Sequence, residues 1–309
     1  MLIIDPATDP GFNLAAEEFL LRETDDPILR IWRNDPTVVV GRHQIPCLEA
    51  NVVEAWRRKI PILRRLSGGG AVYHDLGNVN FTIILPAAKG RGIDFALMLA
   101  PVSAALNDMG VAATYAGRGD LRLFGRKISG NSAYLCKDRV LHHGTLLFDS
   151  DLDTLEALLE VRGDSVAGRS VRSVRSTVAN IRDVVHDAAD TWDFATEFLK
   201  RLATVHGFDA DSARTFSSVE KSRILEIASA TYSTPEWNLG ASPDYTLERR
   251  AMKLAVKNGR VAKTEFSGDE KIARELGAAL EGVWHEPEAI EAALLRAKLE
   301  TCTPVEMFF

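Results

Sequence analysis

A chain of 309 residues with 46% hydrophobic and 7% aromatic content is long and apolar enough to bury one large core and a second, smaller one. Its formal net charge of -6 excludes broad binding to nucleic acid or to an anionic membrane, since both require clustered cations, so any basic patch must be local. The three cysteines, Cys47, Cys136 and Cys302, are odd in number, widely spaced and outside any Cys-x-x-Cys pair, which points to a reducing cytoplasm and not to a disulfide framework or a zinc site.

Apolar sequence of folded type begins at Leu2-Ile3-Ile4, and no apolar run approaches ~18 residues, so neither export nor a membrane span is expected. Residues 13–22 carry helical spacing after Pro10-Gly11. Residues 28–32 and 37–40 read as strands joined by a hairpin turn, Arg33-Asn34-Asp35-Pro36, and Gly41-Arg42-His43-Gln44 then leaves the second strand as a ligand-facing loop. A helix over 48–58 and a strand over 61–65 follow. In the strand over 79–85, Asn78, Asn80 and Thr82 share one face while Val79, Phe81 and Ile83 share the other, so one polar face can line a pocket. A helix over 95–109 precedes a run of strands at 112–115, 121–124, 128, 132–135 and 140–148. Many strands with few intervening helices predict an α+β fold on a mixed or largely antiparallel sheet.

Beyond a helix over 151–159, residues 162–182 hold Arg162, Arg169, Arg172, Arg175 and Arg182 against Asp164 alone, a candidate mobile cationic loop for phosphates or an acidic partner. Helices over 190–206 and 217–230 close this part. Ser242-Pro243-Asp244 is the linker candidate, dividing a catalytic domain at 1–241 from a small unit at 245–309 that reads β-β-α-α, with a hairpin at Asn258-Gly259 and helices from Asp269 and Glu286.

Two stretches carry the chemistry. Residues 64–78 read Arg-Arg-Leu-Ser-Gly-Gly-Gly-Ala-Val-Tyr-His-Asp-Leu-Gly-Asn, a tight strand-to-strand connection in which Gly68, Gly69 and Gly70 let amide N–H groups approach an anion, with Arg64 and Arg65 as a cationic lip. Residues 117–148 contain Gly-Arg-Gly-Asp, then Gly-Arg-Lys-Ile-Ser-Gly, then His-His-Gly-Thr-Leu-Leu. Neither Gly-x4-Gly-Lys-[Ser/Thr] nor a post-strand Gly-x-Gly-x-x-Gly is present, so a nucleotide would be held in another way. His74, His142 and His143 do not make a metal site by pattern, because strand alternation sets His142 and His143 on opposite faces; no metal ligands are assigned.

With three long motifs in this order and spacing, the chain resembles the lipoate-protein ligase A family, within the larger group that includes biotin ligases and octanoyl transferases. The resemblance implies a large mixed-sheet catalytic domain of the biotin/lipoate ligase type, class II synthetase-like, with a small C-terminal α+β domain. It implies ATP-dependent activation of lipoate, with Mg2+, to lipoyl-AMP, and transfer to a lysine of lipoyl domains in 2-oxoacid dehydrogenase E2 subunits and the glycine cleavage H protein. Lys127 would contact the acyl-adenylate as the catalytic residue. Arg65, Ser67, Gly68, Gly69, Gly70 and His74 would shape the lipoyl tunnel and acyl-phosphate end, Asn78 and His143 would complete the pocket, and Asp120 would lie near the adenylate and the incoming amine. The ATP contacts implied are Arg65, Gly70, Asp120 and Lys127, and Arg42 is drawn toward the site. Closure of the arginine-rich loop and rotation of the small domain would exclude water. Gly119 departs from the family, which usually has Asn there. The rival reading is an ATP-independent octanoyl or lipoyl transferase with a cysteine carrier, for which Cys136 beside Lys137 and Arg139 is the candidate thiol.

Overall fold

The computed structural model describes residues 1–87, 92–160, 165–168, 170–249, 252–300 and 303–309. The chain opens with β1 (Leu2–Ile4), α1 (Pro10–Arg22), β2 (Ile28–Trp32) and β3 (Thr37–Val40). Helix α1 starts before the predicted residue 13 because Asp9 caps it, accepting the Phe12 N–H at 2.6 Å, and Pro10 occupies the first turn. The expected hairpin between β2 and β3 does not form; the two strands belong to different sheets. Asn34 is buried between them and hydrogen-bonded to Asn13 and His74, so residues 33–36 carry the chain across a layer instead of reversing it.

The helix expected over 48–58 is two pieces, α2 (Pro46–Glu49) and α3 (Val52–Arg57), because Ala50 takes an extended conformation and Asn51 then caps α3 through the Glu54 N–H. Strands β4 (Ile62–Arg64) and β5 (Val72–His74) flank β3, parallel and antiparallel to it respectively. The glycine stretch is therefore a crossover past the end of β3 and not a tight connection between paired strands.

The next elements are β6 (Asn78–Pro86), α4 (Phe95–Asp108), β7 (Thr114–Tyr115), β8 (Asp120–Leu123), β9 (Arg126–Cys136) and β10 (Arg139–Leu147). They complete a seven-stranded sheet ordered β1-β2-β6-β10-β9-β8-β7, antiparallel except for β1 and β2. After α5 (Leu152–Leu159) and β11 (Ser165–Gly168) come α6 (Thr191–His206), α7 (Ser218–Ile227) and α8 (Pro235–Asn238). Helices α4 and α6 cover one face of the large sheet, where Leu29, Ile31, Val79, Phe81, Phe194 and Phe198 form the main core. Each such side chain contributes about 1.5–3 kcal/mol by leaving water.

The C-terminal unit holds β12 (Tyr245–Arg249), β13 (Met252–Lys257), β14 (Arg260–Phe266), α9 (Glu270–Leu280) and α10 (Pro287–Ala297), so it has three strands and not two. The Asn258-Gly259 turn is formed as expected, with φ of 48° and 73°. Residues 165–168 add to this sheet as a fourth strand, ordered β11-β12-β13-β14, and Ile45 and Leu48 enter its apolar cluster. Arg162, Asp164, Arg169 and Cys302 lie outside the described residues.

Candidate active site

The two faces of β6 are as different as alternation predicts. Val79, Phe81 and Ile83 point to the α4 and α6 core, whereas Asn78, Asn80 and Thr82 point the other way. In register with them, Arg30 and Trp32 of β2 and His143 and Thr145 of β10 continue this polar face. Helix α1, the β4-β3-β5 sheet and the glycine crossover lie over it. A buried polar layer between two sheets is costly unless it has work to do or partners to meet.

Lys127 reaches this face through a break in register. Leu121 pairs with Ser129 and the adjacent Arg122 pairs with Lys127, so Ile128 is an extra residue in β9. Strict alternation from Gly130 would turn Lys127 into the core; the bulge sends Ile128 there instead, fully buried, and turns Lys127 to the cleft. Its Nζ lies 2.7 Å from Asp120 Oδ1. Residues 170–182, part of the 162–182 stretch expected as a mobile cationic loop, are docked here: Lys127 N–H donates to Thr177 C=O at 2.8 Å and Lys127 C=O accepts from Ala179 N–H at 3.0 Å. Ser173 Oγ accepts the Ala71 N–H and the Gln44 amide, and Arg172 pairs with buried Glu49. The result is a cleft of about 610 Å3 lined by Lys127, Gly130, Thr145, Ala71, Ser173 and Arg175. A larger cleft of about 860 Å3, between α3 and the C-terminal unit, contains none of the predicted site residues.

The predicted cationic lip is inside the protein. Arg64 is fully buried and donates to the carbonyls of Gly41, Arg42, Gln44, Trp237 and Asn238 and to Ser242 Oγ. Arg65 donates to Ser67 Oγ and to the carbonyls of Val39, Gly68 and Gly70, so it braces the glycine crossover from behind. Burial lowers both guanidinium pKa values to about 10. Gly41 has to be glycine, because a Cβ there would meet Gly69 O at 2.2 Å. Arg42 stacks on Trp237 at 4.1 Å, while its N–H bonds the Ser67 carbonyl.

Ser67, His143 and Glu17 form a buried relay. Ser67 Oγ is 2.6 Å from His143 Nε2, and His143 Nδ1 is 2.9 Å from Glu17 Oε2; Thr82 Oγ1 donates to Glu17 at 2.6 Å. Burial alone would raise the Glu17 carboxyl, yet the neighbouring His143, Thr82 and Arg30 hold it below its ordinary value, so it stays ionised. An ionised Glu17 fixes the proton on His143 Nδ1 and makes Nε2 the acceptor for the Ser67 hydroxyl. His74 and Asn78 lie on the same polar layer, both buried. His142, on the opposite face, bonds Asn131 Oδ1 at 3.1 Å. Burial pushes the His74 and His142 pKa values down to about 3, with the Arg65 guanidinium adding to the effect at His74.

Glu17 and Asn13 were not singled out by sequence reasoning. The available signal was that α1 is apolar around most of its circumference, so an acid and an amide four residues apart had to point inward. Gly119 explains its departure from the family: its φ is +81°, and the Asn131 carbonyl would lie 2.8 Å from an added Cβ. Among the described residues no three His, Cys, Asp or Glu side chains group as a metal site. Cys136 packs against the α1 cluster, nine residues along β9 from Lys127, about 30 Å at strand rise.

This fold and site define the catalytic unit of an acyl-activating ligase. The family described as the lipoyl protein ligase A/B catalytic domain matches residues 9–203, and the chain belongs to it. It is similar to lipoate-protein ligase LplJ of Bacillus subtilis, 35% identical over 87% of this chain and 85% of the relative. Lipoate-protein ligase 1 of Staphylococcus aureus is 33% identical over 93% and 90%. Among solved structures, a lipoate-protein ligase A bound with ATP matches with a TM-score of 0.67 at 28% identity, over 78% of this chain and 98% of that one. A bi-partite lipoate protein ligase from Thermoplasma acidophilum, described with its E2 lipoyl domain, gives 0.66 at 28%, over 78% and 95%. P. falciparum LipL1 in complex with lipoate shares the fold, with a TM-score of 0.67 at 20% identity over 98% and 97%. The chain is a lipoate-protein ligase by family and an ATP-dependent ligase by class.

Proposed function

We propose that this enzyme joins lipoate to ATP at the Lys127 cleft and passes the lipoyl group to the ε-amine of a lysine on lipoyl acceptor domains. The observation that carries the reading is the bulge that turns Lys127 onto the polar face, 2.7 Å from Asp120 and beside the glycine crossover. In the first half-reaction a carboxylate oxygen attacks the α-phosphorus, the bond to pyrophosphate breaks, and negative charge builds on the non-bridging oxygens. The Lys127 ammonium and the backbone N–H groups of residues 68–70 stabilise that charge, each donor being worth about 10²–10³ in rate. In the second, the amine attacks the acyl carbonyl, the C–O bond to AMP breaks, and the Asp120 carboxylate receives or orients the departing proton.

Mg2+ would be held through substrate phosphates plus one or two carboxylates and would neutralise phosphate charge; Asp120, paired with Lys127 at the edge of the cleft, is the carboxylate we assign to it. Arg65 and Ser67 act from beneath the crossover, with Gly68, Gly69 and Gly70 presenting backbone to the substrate and His74, Asn78 and His143 lining the acyl channel. The acceptors proposed are lipoyl domains of E2 subunits and the glycine cleavage H protein, the former supported by the archaeal relative described with its E2 lipoyl domain. That relative aligns over 95% of its own length to 78% of this chain, which supports a catalytic unit at 1–241 and an accessory unit at 245–309. Unpaired Cys47 and Cys136 support a reducing cytoplasm, and among the described residues no helix is long and apolar enough to cross a membrane.

The transferase rival lacks a thiol at the cleft among the described residues: Cys136 is distant, and burial raises the Cys47 pKa to about 11. Lipoate-dependent ATP–pyrophosphate exchange by purified protein with magnesium, lowered about 10²–10³ in Lys127→Ala, is the expected result. Well-folded wild type that gives no exchange, yet acylates an acceptor lysine from an acyl-carrier donor, would overturn the ligase reading in favour of the transferase.

A further inference from the structure

The turn that joins β8 to β9 breaks a local rule. Leu123 pairs with Arg126, so Phe124 and Gly125 alone reverse the chain, with φ of 49° and 81°. Two positive φ values mark a type I′ turn, whose first place favours Asn, Asp or Gly. A bulky phenylalanine is strained there, and the fold does not bury its ring, since Phe124 is 78% exposed. A local rule broken without a gain in packing points to function.

One side chain holds this turn at the rim of the Lys127 cleft. Arg122 Nη1 donates to the Gly125 carbonyl at 2.9 Å, its Nη2 donates to Ser176 Oγ at 3.4 Å, and the same Nη2 stands 3.6 Å from Asp120 Oδ2. The hairpin tip, the docked 170–182 segment and the Asp120 carboxylate therefore meet on a single guanidinium. Val174, 65% exposed and two residues before Ser176, lines the cleft. Phe124 and Val174 are thus exposed apolar side chains on a basic rim, with Arg126 and Arg175 exposed beside them. The other wall of the cleft is α5, with Asp153, Glu156 and Glu160 among its lining residues.

A lysine amine that attacks an acyl group at Lys127 brings its own backbone with it. Five single bonds separate a lysine Cα from its Nζ, about 6 Å. The acceptor's backbone therefore comes to the mouth of the cleft, and the residues flanking its lysine rest on the rim. The chemistry of the rim describes that partner: one ammonium passing the α5 carboxylates, carried on a surface whose apolar and acidic groups meet Phe124, Val174, Arg126 and Arg175.

We propose that the Phe124 turn, with Val174 and Arg126, is the docking surface for the lipoyl acceptor domain, and that Phe124 is its apolar anchor. The inference rests on the ligase reading above and adds to it the surface by which the protein substrate is held. Aromatic side chains that become buried in an interface carry a large part of its binding energy. A two-residue turn tied down by Arg122 presents this one already ordered, so little conformational entropy is lost on docking.

The test separates docking from chemistry by offering two nucleophiles to the same acyl-adenylate. Hydroxylamine attacks the acyl carbonyl, the C–O bond to AMP breaks and the nitrogen gives up a proton, yet it has no surface to dock. An unmodified E2 lipoyl domain undergoes the same step through its lysine. With the full chain, lipoate, ATP and magnesium, Phe124→Asn is expected to keep hydroxamate formation within about twofold of wild type, while kcat/KM for the lipoyl domain falls about tenfold, chiefly through KM. Asn-Gly is the preferred dipeptide for this turn, so the variant should fold at least as well as wild type. Arg126→Glu should lower kcat/KM for the domain by a similar factor and weaken its salt dependence, with hydroxamate formation again retained. Unchanged acylation of the domain by Phe124→Asn would overturn the proposal, as would an equal loss with both nucleophiles, which would place the effect of the turn inside the active site. Altered self-association in sedimentation, with acylation of the domain unchanged, would assign the patch to a second copy of the chain instead. Wild type that forms neither hydroxamate nor lipoylated domain would sink the ligase reading itself.

Discussion

Lys127 Nζ and Asp120 Oδ1 are 2.7 Å apart, and they meet because one extra residue, Ile128, reverses the facing of the strand that carries the lysine. Both side chains are partly exposed, so their mutual attraction adds at most about 1 kcal/mol to stability. The pairing therefore belongs to chemistry more than to folding. Lys127→Ala is expected to lower lipoate-dependent pyrophosphate exchange by about 10²–10³ with the thermal midpoint nearly unchanged. Asp120→Asn, which keeps the shape but not the charge, is expected to lower aminolysis of supplied lipoyl-AMP more than it lowers exchange. Equal losses in the two half-reactions would place Asp120 on the nucleotide side alone.

Glu17 controls the other end of the channel through His143. Replacing it by Gln removes the charge that holds the Nδ1–H tautomer, and the Ser67 hydroxyl then loses a defined acceptor. A tenfold fall in kcat/KM for lipoate, about 1.4 kcal/mol, is the expected scale. Glu17→Ala should be far worse for the fold, about 3 kcal/mol or more, because it strands buried Thr82 and His143 donors. Urea denaturation of the two variants distinguishes a positioning role from a purely structural one.

The buried histidines set the acid limit of stability. His74 and His142 fall from 6.5 to about 3, and His285 falls to about 4, each first through burial. Their folded pKa values are depressed, so between about 3 and 6.5 the unfolded chain binds more protons than the native one. Stability is accordingly full above about pH 6.5 and declines as the pH drops, by roughly 1 kcal/mol per pH unit for each histidine. Glu17, also depressed, loses its contribution in the same direction at lower pH. Urea midpoints measured at pH 7.5, 6 and 5 should decrease in that order; His74→Gln should flatten the slope.

The polar face of β6 was legible in the sequence because Asn78, Asn80 and Thr82 alternate strictly with Val79, Phe81 and Ile83, and period two survives any tertiary arrangement. Lys127 was legible only through its motif, since its facing depends on a one-residue slip that no alternation rule reveals. The two adjacent arginines looked like a surface lip because arginine is rarely buried; their true setting follows from carbonyls contributed by residues as distant as 238. In the same way the arginine-rich stretch looked free, yet its backbone pairs with Lys127 some fifty positions upstream, a long-range bond with no local signature. Glu17 was hidden by its neighbour Glu18, which faces outward enough to pair with Arg22.

Arg64 joins three segments that otherwise share few bonds: the 41–44 loop, the end of α8 and Ser242 at the approach to the C-terminal unit. Its backbone takes part as well, the N–H donating to Asn238 Oδ1 and the carbonyl accepting from Trp237 Nε1. No carboxylate is among these partners, so the guanidinium acts as a fork of donors and not as one half of an ion pair. Arg64→Met fills the volume but leaves five carbonyls and a hydroxyl without their donor, and the expected loss is about 3–5 kcal/mol in urea unfolding. Arg64→Lys keeps the charge and some donors yet cannot reach all six acceptors, so it should recover only part of that loss. Because the 41–44 loop also holds Ser173 through Gln44, hydrogen exchange in Arg64→Lys should rise together in residues 41–44, 171–173 and 238–242. Faster exchange confined to residues 238–242 would show that the arginine anchors the linker without tying it to the active-site loop.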